Sequence, residues 1–120
     1  MADVVYLVQD MLFTSKIREA AKAVGLTVQA TREPAALVTA AAGAKLVIVD
    51  LRLPTALDAL TALGADPAAK TVRSVGFIDH EKLDVMDQAR ERGCGQVMAK
   101  GQFATALPRL LAGLAPTLAP

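Results

Sequence analysis

The residues best suited to chemistry in this 120-residue chain stand at the ends of short apolar runs. Leu7-Val8-Gln9-Asp10 closes the first run and Val49-Asp50 the third, Ile78-Asp79-His80 closes the fourth, and Ala99-Lys100 the fifth. If the runs are strands of one parallel sheet, two carboxylates and an ammonium, Asp10, Asp50 and Lys100, share one edge. Open α/β sheets gather ligands there, outside the carboxyl ends of the strands where strand order reverses. Asp10 and Asp50 also have a plainer use, capping the helices that follow. Two acids at neighbouring strand ends weigh toward a site, and Lys100 gains meaning only beside them.

Other reactive side chains carry less. His80 is the one histidine, without the spacing of a metal site, and reads as a surface or capping residue. Cys94, the single cysteine, reads as a small half-buried thiol, with no histidine near it in a motif. Met11, Met86 and Met98 read as core or rim packing. Thr14-Ser15-Lys16 follows no glycine-rich loop, so a phosphate cradle is not expected there.

The elements that must position these groups follow from periodicity. Val4–Val8, Leu26–Ala30, Leu46–Leu51, Val72–Ile78 and Gln96–Ala99 read as five strands. Between and after them the helical period recurs, as in Ile17, Ala20, Ala21 and Val24, and in Leu107, Leu110, Leu111 and Leu114. Gly25 and Gly93 stand where left-handed C-caps are wanted, and Pro34 and Pro54 stand in connections or at helix starts. Pro108 fits the last helix if it lies in the first turn, where no intrahelical partner is lost. Strands as apolar as Leu46-Val-Ile-Val need cover on both faces, which implies a parallel, doubly wound α/β domain with right-handed crossovers.

Composition narrows the function. With 53% hydrophobic and 21% charged residues the chain can bury a core, and no apolar run reaches a membrane span. A net charge of +1 without a basic run, and no tryptophan, argue against nucleic acid and membrane as partners. The lone cysteine and the absence of a leader pattern lead to the expectation of a cytoplasmic protein.

Val47-Ile48-Val49-Asp50-Leu51-Arg52-Leu53-Pro54, an apolar strand ending in Asp, then two variable residues and Leu-Pro, resembles the phosphoacceptor segment of CheY-like response-regulator receiver domains. The likeness spans nearly the whole chain, with an acid after the first strand and a lysine after the fifth. It implies a (βα)5 flavodoxin-like fold of strand order 2-1-3-4-5 over residues 1–115; residues 116–120, the end of a tail with two prolines and little charge, are expected to fray. It implies further that Asp50 is the phosphoacceptor, that Asp10, Asp50 and the Arg52 backbone carbonyl ligate Mg²⁺, and that Lys100 pairs with the phosphoryl group. A hard cation and a lysine together neutralise the charge that would otherwise keep a carboxylate from attacking phosphorus.

The chain departs from the family at four places. Gln9 replaces the first of two adjacent acids. Ile78, or Asp79 if the alignment moves by one, replaces the Thr or Ser at the end of the fourth strand. Val97 stands where a switch aromatic is usual, and Lys100-Gly101-Gln102-Phe103 replaces Lys-Pro-Phe. Arg52 offers a substitute for the metal, since its guanidinium could bridge Asp10 and Asp50 bidentately and set the site without a cation.

The expected function is a stand-alone signalling domain of a two-component phosphorelay, either phosphorylated on Asp50 or acting as a phosphorylation-independent docking module, and not a metabolic enzyme. Its expected partners are a histidine kinase or a downstream target, met as a monomer or weak homodimer. The expected partner face joins the fourth helix, fifth strand and fifth helix through Leu83, Asp87, Arg90, Val97, Phe103 and Leu107. The length leaves no room for an effector module, so output through a protein contact is expected. The competing readings are a small-ligand or flavin-binding domain of the same strand order and a phosphatase-type hydrolase. The first is disfavoured by the absence of glycine in Gln9-Asp10-Met11-Leu12-Phe13, the second by Arg52 where an acid is needed.

Overall fold

The computed structural model describes residues 2–115. Elements alternate without exception: β1 (Val4–Leu7), α1 (Met11–Ala23), β2 (Val28–Thr31), α2 (Pro34–Ala41), β3 (Leu46–Asp50), α3 (Ala56–Ala65), β4 (Arg73–Ile78), α4 (Leu83–Glu91), β5 (Gln96–Ala99) and α5 (Lys100–Ala112). All pairings are parallel and the order is β2-β1-β3-β4-β5, as expected. β1 and β3 are buried along their whole length, whereas the edge strands β2 and β5 are partly exposed. Continuous burial is why Val4-Val-Tyr-Leu and Leu46-Val-Ile-Val carry no alternation.

Two cores flank the sheet. One packs Val5, Val47 and Val49 against α2, α3 and α4, the other packs Tyr6, Ile48 and Phe77 against α1 and α5. The second includes three aromatic rings near the strand ends: Phe77 lies 4.7 Å from Phe13 and is stacked on Phe103 at 4.5 Å.

Two expectations shift. β2 begins at Val28 instead of Leu26 because Leu26 N–H closes α1 onto the Ala21 carbonyl, with Gly25 at φ +74 making the reversal. Gly93, at φ +92, does the same for α4 through the Cys94 N–H to the Ala89 carbonyl. Pro108 lies inside α5 and not in its first turn, because α5 starts directly from β5 with Ala99 as its N-cap. The proline can offer no N–H to the Ala104 carbonyl, and it lies on the exposed side of the helix. Residues 116–120, expected to fray, lie outside the described residues. No described helix is long and apolar enough to cross a membrane.

Candidate functional site

β1 and β3 are neighbours with Leu7 level with Val49, so the residues that follow, Asp10 and Asp50, come to the same end of the sheet. Asp10 is the N-cap of α1, its Oδ1 accepting the Phe13 N–H at 3.1 Å. The capping use and the site use therefore coexist in one side chain. Asp50 is the last residue of β3, with its side chain only 3% exposed.

Arg52 ties the two together. Its Nε donates to Asp50 Oδ1 at 2.9 Å and its Nη2 to Asp50 Oδ2 at 2.8 Å, a bidentate fork. The same Nη2 reaches Asp10 Oδ2 at 3.2 Å, and the Arg52 backbone N–H adds a bond to Asp50 Oδ1 at 3.0 Å. The guanidinium carbon lies 5.5 Å from the centre of the Phe13 ring and 5.7 Å from that of Phe77. Arginine suits an aromatic floor because its delocalised charge is weakly hydrated.

Titration follows the geometry. The Asp10 carboxyl is held below its ordinary value first by the Phe13 N–H and, against the cost of desolvation, by Arg52. Arg52 is held more firmly protonated than a free arginine, chiefly through its hydrogen bond to Asp50.

A magnesium ion needs carboxylate oxygens with lone pairs turned to a common point. Here all four oxygens of Asp10 and Asp50 already accept hydrogen bonds, three of them from Arg52. Gln9, where a further acid would stand, lines a different cleft with Met11 and Arg32. No group of three or more His, Cys, Asp or Glu side chains among the described residues is placed to hold a metal. In this arrangement the residues do not fit the ion, because no carboxylate oxygen of the pair is left free for it.

The far side of the crevice is built differently. Ile78 is buried as the last residue of β4, and Asp79, one step on, faces Lys100. β4 therefore ends at Ile78, and Asp79 is the first residue beyond it. Lys100 Nζ lies 3.2 Å from Asp79 Oδ1, yet that buried oxygen makes no well-directed hydrogen bond, so the contact is one of charge alone. The Lys100 ammonium, expected to pair with a phosphoryl group, lies against Asp79 in this structure. His80 is exposed and near only Glu81, at 3.6 Å. Cys94 is buried, which pushes its thiol pKa up.

The expected partner face divides. Leu83 is 65% exposed, Asp87 and Arg90 are exposed and paired at 3.1 Å, and Val97 is half-buried. Phe103 and Leu107 do not belong to that face: both are buried with Leu111, because the i, i+4, i+8 stripe of α5 faces the sheet. Met11, expected to pack, is 85% exposed at the start of α1 beside Leu12 at 62%.

Sequence reasoning missed two features. One is the aromatic floor, since Phe13, Phe77 and Phe103 lie on three different elements and nothing in their spacing joins them. The other is Gly76, where an added Cβ would come within 3.0 Å of Leu51, the residue after Asp50. Its absence lets the β3 end sit close against β4.

No family model matches the sequence, and no curated protein sequence matches it. Solved structures do. A response regulator from Hahella chejuensis superposes with a TM-score of 0.78 at 18% identity, covering 95% of both chains. A receiver domain from Rhodospirillum rubrum gives 0.73 at 17% identity, covering 92% of this chain and 91% of the other. The receiver domain of the sensor histidine kinase PA1611 from Pseudomonas aeruginosa, with magnesium in its active-site cleft, gives 0.76 at 15% identity, covering 94% and 96%. The chain has the fold of response-regulator receiver domains.

Proposed function

We propose that this chain is a two-component signalling domain of the cytoplasm that works by docking to a protein, with its phosphoacceptor position held in a fixed, metal-independent state by Arg52. The fork from Arg52 to Asp50, extended to Asp10, carries this reading. The receiver fold supports the signalling class, and the magnesium in the Pseudomonas receiver supports reading this crevice as its counterpart. In that light the guanidinium supplies permanently the positive charge that a receiver takes from an ion.

Phosphorylation of Asp50 would require the guanidinium to release whichever Asp50 oxygen attacks phosphorus. The partner is a histidine kinase or its downstream target, met through the exposed part of the α4–β5 face, Leu83, Asp87, Arg90 and Val97. A flavin or nucleotide at the switch point is disfavoured, because α1 begins directly after Asp10 with no glycine loop to admit phosphate.

The test is incubation with Mg²⁺ and acetyl phosphate, followed by intact mass, with Asp50→Asn as control. The expected result is no adduct in either protein. An adduct in the native protein that Asp50→Asn abolishes would replace the docking reading with that of a working phosphoreceiver.

A further inference from the structure

A second cleft, of about 670 Å³, opens one strand away from the crevice, between α1 and the carboxyl ends of β1 and β2. It is lined by Tyr6, Val8, Gln9, Met11, Thr14, Ser15, Arg18, Ala30, Thr31 and Arg32, without a single carboxylate. The cause is local. Ala30 lies level with Tyr6 in the β1–β2 register, and its small side chain leaves the outer part of the sheet uncovered.

The polar groups are unusually free. Arg18 Nε donates to the Tyr6 hydroxyl at 3.2 Å, which fixes the side chain and leaves its terminal nitrogens without a protein partner among the described residues. Arg32 makes no side-chain hydrogen bond or ion pair among the described residues, and neither arginine has a carboxylate of the described residues within salt-bridge distance, in contrast to Arg52, Arg90 and Arg92. The Thr31 hydroxyl is spent on the Tyr6 carbonyl, whereas the Thr14 and Ser15 hydroxyls carry no side-chain bond in the described structure.

We propose that this cleft binds a small organic phosphomonoester. Two unpaired guanidiniums with no competing acid match a dianion, and phosphate oxygens accept bidentate arginine donors. Val8, Met11 and Ala30 offer the body of the ligand an apolar seat, and the volume is that of an ordinary small-molecule pocket. Such a site gives the domain an input separate from Asp50.

Amide chemical-shift titration of the whole protein tests this with three probes: adenosine 5′-monophosphate, adenosine and inorganic phosphate. The expected result is saturable shifts at Gln9, Thr14, Ser15, Arg18 and Arg32 with the monophosphate, weaker ones with phosphate, and none with adenosine. The paired variant Arg18→Gln, Arg32→Gln, both positions being exposed, keeps the native spectrum elsewhere and binds at least ~10-fold more weakly, as loss of charged hydrogen bonds requires. Equal binding of adenosine, shifts centred outside the cleft, an unchanged affinity in the paired variant, or no saturable shift with any probe at millimolar concentration would each overturn the proposal.

Discussion

The two halves of the strand-end crevice use the same chemistry, aspartate against a basic side chain, with opposite results. In the β1–β3 half, Arg52 makes three side-chain hydrogen bonds to two carboxylates, one of them nearly inaccessible, above two aromatic rings. In the β4–β5 half, Lys100 and Asp79, half and one-third exposed, share one contact at 3.2 Å without a directed hydrogen bond. Depth and the number of directed bonds, more than charge, decide which half is fixed. A planar fork with a short tether from Asp50 can satisfy several acceptors at once, whereas a lysine on a flexible stem in solvent satisfies one poorly.

Four substitutions break or sharpen that contrast. Arg52→Ala leaves the buried Asp50 carboxylate without a cation and should lower the unfolding free energy by about 2 kcal/mol in urea titration, below the range for a fully buried pair because the arginine side chain is 29% exposed. A loss under about 0.5 kcal/mol would mean that the fork contributes no more than a surface contact. Arg52→Lys keeps the charge and loses the fork, with an expected cost of about 1 kcal/mol.

Asp10→Asn keeps the helix cap, since the amide oxygen can still accept from Phe13, and should cost under about 1 kcal/mol at neutral pH. It should also change the acid limb. Because the folded Asp10 pKa lies below the ordinary 3.8, its contribution is complete above that value and is lost as pH falls through the lower folded pKa. The stability difference between native and Asp10→Asn protein should therefore narrow on acidification below 3.8, and a difference that does not narrow there would contradict the assignment. Lys100→Ala should lie within about 0.5 kcal/mol of native, as expected for an exposed pair.

How much of this was legible in the sequence depends on distance along the chain. Asp10, Asp50 and Lys100 could be placed because each follows an apolar strand, and a parallel sheet brings strand ends together. The Arg52 bridge was legible because Arg52 is two residues from Asp50 and its reach is short. The contact of Lys100 with Asp79 was not, since the two follow different strands and nothing in their spacing joins them. The fate of Phe103 and Leu107 turned on the start of α5: a helix beginning at Lys100 carries both inward, whereas a start near Pro108 would have freed them. The arginine cleft was hidden because it depends on Ala30 being small beside Tyr6, a relation between strands that only the register reveals.

The central claim is that Arg52 stands in for the metal, and magnesium titration followed by the backbone amide shifts of Asp10, Asp50 and Arg52 tests it most directly. The account predicts no saturable response in the native protein and a response in Arg52→Asn. Saturable binding by the native protein, with shifts centred on Asp10 and Asp50, would contradict it.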